Sequence, residues 1–372
     1  MFEEAFANAN LPGVVGMIVD RDGVRFAQAL GVTDVDSKTP LAEDTPFQIA
    51  SMTKALATLA AMQQVEAGRL SLDAPIGEVL PELADAQVLT GFDADGKPQT
   101  RPAARPITLR HLLTHTAGFG YFFIHPELLQ YFGAVGMPAP GSLAGIRTPL
   151  LYDPGDKWEY SVSIDWAGLA VEAVTGSTLG DYMAEHVFAP LGMTGTGFFD
   201  SLPAGAAQVH IRDESGALKV QPMFLGGGEY HNAGGGLIGT APDYARFLRA
   251  MLRGGELDGT RILRPETVAE MTRNQIGTLR AGYMGSAMPH LAPPFDGFPD
   301  QHTGWTLGFL TNPEPGPNGR SAGSLNWAGI FNSYYWFDPA KGLGGVFMSQ
   351  LSPFGDPGAM DCFGALERMA YA

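Results

Sequence analysis

Apolar residues fall in short strand-like runs at both ends of this chain and at helical spacing between them. After a short N-terminal helix, Gly13–Asp20 and Val24–Val32 flank Asp22-Gly23, a dipeptide suited to closing a tight hairpin. Phe47–Ala50 is a brief strand leading to Ser51. From Ser51 to Ala67 the sequence turns rich in Ala, Leu, Met and Gln and stops at Gly68, which predicts a helix of about four and a half turns. Shorter helices are expected over Thr108–Thr114, Ile164–Val174 and Leu179–Phe188, with surface loops at 92–106 and 132–149. Beyond Gly226 the pattern gives helices at Pro242–Arg253 and Pro265–Asn274 and strands at Thr303–Leu310, Ser324–Phe331, Tyr334–Asp338 and Gly344–Leu351. Pro357–Met369 closes the chain as a helix.

Strands at both ends with helices between them predict an α/β (α+β) protein. One antiparallel sheet would be assembled from residues 1–50 and 226–372, and a mostly helical domain over 51–225 would be inserted into it. The interface between the two is where a site is expected.

Composition narrows the function. Basic residues number 23 against 39 acidic ones, a formal charge of −16 that is unsuited to neutralising phosphates, so no nucleic-acid partner is expected. No apolar run reaches the roughly 18 residues that span a bilayer, and the acidic start Met1-Phe2-Glu3-Glu4 lacks the plan of a secretory signal. One cysteine, Cys362, cannot form an internal disulfide. The expectation is a soluble cytoplasmic protein without a membrane partner. The oligomeric state is not legible.

Five short stretches carry chemistry. In Ser51-Met52-Thr53-Lys54, positions i and i+3 share a helix face, so a hydroxyl and an amine come within reach at the positive end of a helix dipole. A lysine buried there can act as a base toward the serine. With 15 Ser and six Lys, chance alone supplies roughly a quarter of such a pair, so position at a strand-to-helix junction matters more than the tetrapeptide. Asp153-Pro154-Gly155 delivers Tyr160-Ser161 just ahead of a helix, and a phenol beside an amine can relay protons. The remaining three are Leu112-Leu113-Thr114-His115-Thr116-Ala117-Gly118, the run Gly234-Gly235-Gly236 before Thr240-Ala241, and Trp327-Ala328-Gly329 in a late strand.

In this order the five stretches resemble the serine β-lactamase/D,D-peptidase-like superfamily, and within it the class C β-lactamase-like carboxylesterases known as family VIII. The likeness runs from about residue 13 to 350. The resemblance implies Ser51 as the acyl-accepting nucleophile, Lys54 as its base partner and Tyr160 as a second proton carrier. It implies an oxyanion hole from the backbone N–H groups of Ser51 and Ile330, with no metal and no cofactor. Two positions depart from the β-lactamase pattern. Val162 stands where those enzymes place Asn, and Trp327 replaces the Lys of the Lys-Thr-Gly motif. Val162, Trp327, Ala328 and Gly329 are therefore expected to line the substrate site. Losing an amide and a cation favours neutral esters over penicillins or peptides.

The expected activity is a serine carboxylesterase acting on short-chain esters of small alcohols or phenols through an acyl-enzyme on Ser51. A β-lactamase, D,D-peptidase or acyltransferase on the same fold is the alternative, and a catalytically inactive binding protein a remoter one. Gly319-Arg320-Ser321-Ala322-Gly323 matches a nucleophile elbow, but a Pro-rich loop precedes it and a strand follows, the reverse of what that motif needs. His111 and His115 have helical zinc-ligand spacing but lack an accompanying Glu. Whether the Phe122–Gly145 loop covers the site is left open.

Overall fold

Seven strands drawn from the two ends of the chain form one antiparallel sheet in the computed structural model, which describes residues 1–372. In chain order they are β1 (Gly13–Asp20), β2 (Val24–Gly31), β3 (Gly304–Trp305), β4 (Leu310–Thr311), β5 (Leu325–Gly329), β6 (Ser333–Asp338) and β7 (Leu343–Met348). Their spatial order is β3-β4-β5-β6-β7-β1-β2, with Val15 of β1 opposite Met348 of β7. The helices are α1 (Phe2–Ala9), α2 (Thr53–Glu66), α3 (Leu109–Leu113), α4 (Pro126–Val135), α5 (Ser163–Thr175), α6 (Leu179–Met183), α7 (Ala241–Leu252), α8 (Pro265–Thr272) and α9 (Pro357–Tyr371). None is long and apolar enough to cross a membrane.

β1 shows why its sequence is a continuous apolar run. It lies between β7 and β2 with both faces covered, so neither side of the period-two alternation can be polar. Val15, Met17 and Val19 face the main core, whereas Val14 and Ile18 face a smaller one beneath α1 and α9. Those two helices pack together on the outer face. They press so closely that a Cβ on Gly16 would lie 2.7 Å from the Phe2 ring and 3.2 Å from Leu366. α7 covers the inner face across β1 and β7.

α2 has no polar stripe in its first ten residues: Thr53 through Met62 are all buried. A helix buried on every side is a core element rather than a surface one. It packs against α5, and one contiguous core joins it to the inner sheet face. Outside that core, Arg320 and Glu367 form an ion pair that is 6% and 3% exposed and ties the loop before β5 to α9. Cys362, on α9, is fully buried, and burial pushes its thiol up to about 12.

Three segments differ from expectation. Residues 92–106 are not all loop, because Pro98–Pro102 pairs with Gln87–Phe92 across a turn in which Asp93 accepts backbone N–H groups of Asp95 and Lys97. The proline-flanked, polar composition of that hairpin hid it, since it is exposed and carries no alternation. The stretch 132–149 begins as the last turn of α4, which ends at Gly136 with φ +103°. Thr303–Leu310 is two strands rather than one: Gly308, at φ +94°, folds β3 back onto β4.

Candidate active site

Ser51 sits in a 3₁₀ turn, Ala50–Met52, that feeds directly into α2. Ala50 adopts φ +45°, a left-handed conformation that is costly for a residue with a Cβ. The end of β5 lies against it. A Cβ on Gly329 would fall 2.5 Å from the Ile49 carbonyl oxygen and 3.3 Å from the Ala50 Cβ, so only glycine allows the strand to approach. The Trp327-Ala328-Gly329 strand and the serine turn are thus pressed together by one missing side chain.

Lys54, one helical turn on, is 1% exposed. Its Nζ lies 3.2 Å from Ser51 Oγ, 3.0 Å from Tyr121 Oη and 2.5 Å from the carbonyl oxygen of Gly234. The Gly-rich run therefore contributes a backbone acceptor. Its other end is anchored where Thr240 caps α7 by accepting from the Asp243 N–H.

Tyr160 arrives on the turn before α5. Its ring stands 4.7 Å from Lys54 Nζ, while its hydroxyl oxygen accepts from Trp327 Nε1 at 3.1 Å and not from the amine or the serine. Indole nitrogen is a donor only. Trp327 thus keeps a hydrogen-bond donor where β-lactamases carry lysine, and omits the charge. The Tyr160 ring also packs on His115 and Tyr121, at centroid separations of 4.9 and 5.3 Å.

Tyr121 is the residue that reading the sequence missed. It follows Phe119-Gly120, immediately after the Leu-Leu-Thr-His-Thr-Ala-Gly stretch, and that position was its only signal. Burial holds its phenol well above the ordinary tyrosine value, with Tyr160, Asp165 and Tyr230 adding to the effect. His115, fully buried at φ +56°, pairs its Nδ1 with Ser161 Oγ at 3.1 Å, and burial pushes its imidazole well below the usual value. His111 instead accepts the Thr108 N–H at 3.2 Å in a helix-capping pair. The two histidines have separate partners and do not converge.

A cavity of ≈170 Å³ opens on Ser51, walled mainly by apolar groups that include Tyr160, Trp327, Phe123 and Ile124. Ala328, Gly329 and Ile330 also line it. The N–H groups of Ser51 and Ile330 are not taken up by backbone carbonyls. Phe123, from the 122–145 segment, accepts the N–H groups of Ala287 and Met288 at 2.8 and 3.0 Å, so two segments that both contribute to the cavity wall are joined. Val162, expected beside the substrate, is 7% exposed and packs into the main core, outside this lining. Being valine rather than asparagine, it gains more from burial than from facing a polar substrate. Ser321 lies in a loop with its N–H on Asp338 and has no helix behind it, so it is not an elbow nucleophile.

With this geometry in place, the family model described as Beta-lactamase matches residues 1–365. The chain belongs to that family. Among its relatives, the monacolin J acid methylbutanoyltransferase of Aspergillus terreus is 34% identical, over 100% of this chain and 94% of that protein. The lovastatin esterase of Penicillium rubens is 33% identical, over 93% of this chain and 90% of that protein. Among solved structures, a mutant of the simvastatin synthase LovD from Aspergillus terreus superposes with a TM-score of 0.85 at 32% identity, covering 100% of this chain and 96% of that one. EstCE1, a hydrolase with promiscuous acyltransferase activity, shares the fold with a TM-score of 0.78 at 24% identity, covering 100% of this chain and 96% of that one. The protein is thus a β-lactamase-fold member of a group of serine hydrolases and acyltransferases.

Proposed function

We propose that the protein transfers acyl groups out of carboxylic esters through an acyl-enzyme on Ser51, and that hydrolysis of short-chain esters is its basal reaction. The observation carrying this reading is the contact of Ser51 Oγ with Lys54 Nζ at 3.2 Å, with Ser51 in the wall of an apolar cavity. In this scheme Ser51 Oγ attacks the ester carbonyl and gives its proton to Lys54. Negative charge on the carbonyl oxygen is taken by the N–H groups of Ser51 and Ile330, each worth roughly 2.7–4 kcal/mol in such an arrangement. The C–O bond to the alcohol breaks, and the alkoxide leaves with a proton relayed through Lys54 and its tyrosine neighbours. Water then attacks the acyl carbonyl and gives its proton to Lys54; the C–O bond to Ser51 Oγ breaks, Oγ takes the proton back and the carboxylic acid leaves.

Trp327 in place of a lysine removes the cation that would hold a substrate carboxylate, which argues for neutral esters over penicillins. Transfer to an alcohol is the second reading. It is favoured by the names of the acyltransferase relatives and by an apolar cavity that disfavours water.

Comparing kcat/KM on p-nitrophenyl acetate and on a chromogenic cephalosporin tests the substrate class, and a larger value on the cephalosporin overturns it. A fluorophosphonate should label one site, lost in Ser51→Ala; label at Ser321 refutes the mechanism. Adding a primary alcohol to the ester assay separates the two readings, because transfer diverts product from acid to new ester.

A further inference from the structure

Behind Lys54 lies a second polar layer that the scheme above does not use. Asp165, in the first turn of α5, is 2% exposed, and its Oδ1 accepts the N–H of Gly234 at 3.0 Å. The carbonyl of the same glycine lies 2.5 Å from Lys54 Nζ. Gly234 is therefore a two-ended strap between a buried carboxylate and the amine beside Ser51. Its Cα has no room for a side chain: a Cβ there would lie 2.6 Å from Asp165 Oδ2, 3.1 Å from Tyr121 Oη and 3.2 Å from Asn232 Oδ1. Three polar side chains converge on one glycine, and Asn232 Oδ1 among them is buried without a hydrogen-bond partner.

A carboxylate this deep is costly unless something answers its charge. The groups facing it are Lys54 from α2, Tyr121 from the segment after α3 and Tyr230 from the Gly-rich loop. Lys54 is the only basic side chain among them. A charge favouring the start of α5 would be served equally well at an exposed position, so burial against the Lys54 strap needs a further reason.

We propose that Asp165 is a positioning residue for Lys54: it fixes the Gly234 peptide that receives the amine and supplies the negative charge that answers the ammonium formed when Lys54 takes the Ser51 proton, holding Ser51 and Lys54 in reactive register. This rests on the Ser51 acyl-transfer reading. Burial pushes the Asp165 carboxyl up to about 6, opposed by Lys54, the Gly234 N–H and the Tyr230 hydroxyl. Protonation below that value removes the counter-charge, so kcat/KM falls on the acid side.

Asp165→Asn keeps an acceptor of the same shape for the Gly234 N–H and removes the charge. The assay is kcat/KM on p-nitrophenyl acetate between about pH 4.5 and 9, with the rate of fluorophosphonate labelling and the melting temperature measured alongside. The expected result is a plateau lowered about 10- to 100-fold with KM within about threefold, slower labelling, and loss of the ionisation near pH 6 from the profile. Tyr230→Phe removes a hydroxyl that lowers the carboxyl's pKa, so the acid limb should move to higher pH. A wild-type profile and labelling rate in Asp165→Asn overturn the proposal. So does an activity loss that follows only a lower melting temperature while the profile keeps its shape. If Asp165→Asn does not fold, an unmoved limb in Tyr230→Phe overturns it. Turnover or labelling retained in Ser51→Ala sinks the underlying Ser51 reading instead, which keeps the two failures distinct.

Discussion

Trp327→Phe isolates one hydrogen bond at the centre of the site. The indole N–H reaches Tyr160 Oη at 3.1 Å, and the ring meets Trp305 edge to face at 4.6 Å and Tyr160 at 4.9 Å. Phenylalanine keeps an aromatic ring in that stack and loses the donor. Its smaller size leaves a partial void, costing about 1–3 kcal/mol of stability at a position only 7% exposed. The kinetic effect has a separate origin. If Tyr160 stays neutral throughout the reaction, the lost hydrogen bond is worth about 0.5–1.5 kcal/mol. If its oxygen carries charge in the transition state, the loss is about 1.5–3 kcal/mol. The second case gives a fall in kcat of roughly 10- to 100-fold with KM nearly constant, and is the expected outcome. Steady-state hydrolysis of p-nitrophenyl acetate by folded protein measures it. The same substitution in a Tyr160→Phe background should do much less, because the acceptor is already gone. Unchanged kcat with a raised KM would refute the reasoning and leave Trp327 as a wall of the substrate pocket.

Lys54→Arg retains a cation but cannot give up a proton, so turnover of the same ester should fall about 10²- to 10⁴-fold, and wild-type turnover removes Lys54 from the proton path. Glu367→Ala leaves Arg320 as an uncompensated buried charge and should cost about 3–5 kcal/mol in urea unfolding, with a loss below 1 kcal/mol showing the pair to be solvated. Stability should also carry the signature of Asp165. Its folded value, about 6, lies above the ordinary 3.8, so the folded state binds its proton more tightly than the unfolded chain does. The carboxylate therefore destabilises the fold by about 3 kcal/mol above pH 6, and that cost fades as pH falls toward 4. Asp165→Asn should remove this dependence in unfolding curves taken at pH 4, 6 and 8, and an unaltered slope refutes it.

Much of the architecture was written locally. The hairpin at Asp22-Gly23, the unbroken apolar run of β1 and the helix after Ser51 each follow from short-range pattern, and each is present, the helix starting at Thr53 behind the 3₁₀ turn that holds Ser51. Local pattern failed where exposure or a glycine intervened. Pro98–Pro102 pairs without any apolar alternation to announce it, and Gly308 divides one apolar run into two strands.

The sequence by itself determined most of the sheet strands and the longer helices, that Ser51 and Lys54 lie three residues apart where a helix starts, and which family motifs stand in what order. Helical spacing alone brings two side chains three residues apart onto one face, so that pair needed no tertiary information. Only the tertiary structure decided what surrounds Lys54. Tyr121, Gly234 and Asp165 come from three segments separated by many tens of residues, and no periodicity links them to the amine. It also decided that the Tyr160 hydroxyl faces Trp327, and that Val162 turns into the core. Those choices depend on burial: a polar atom in a dry interior is costly without a partner, and which partner is available is fixed by how the elements pack.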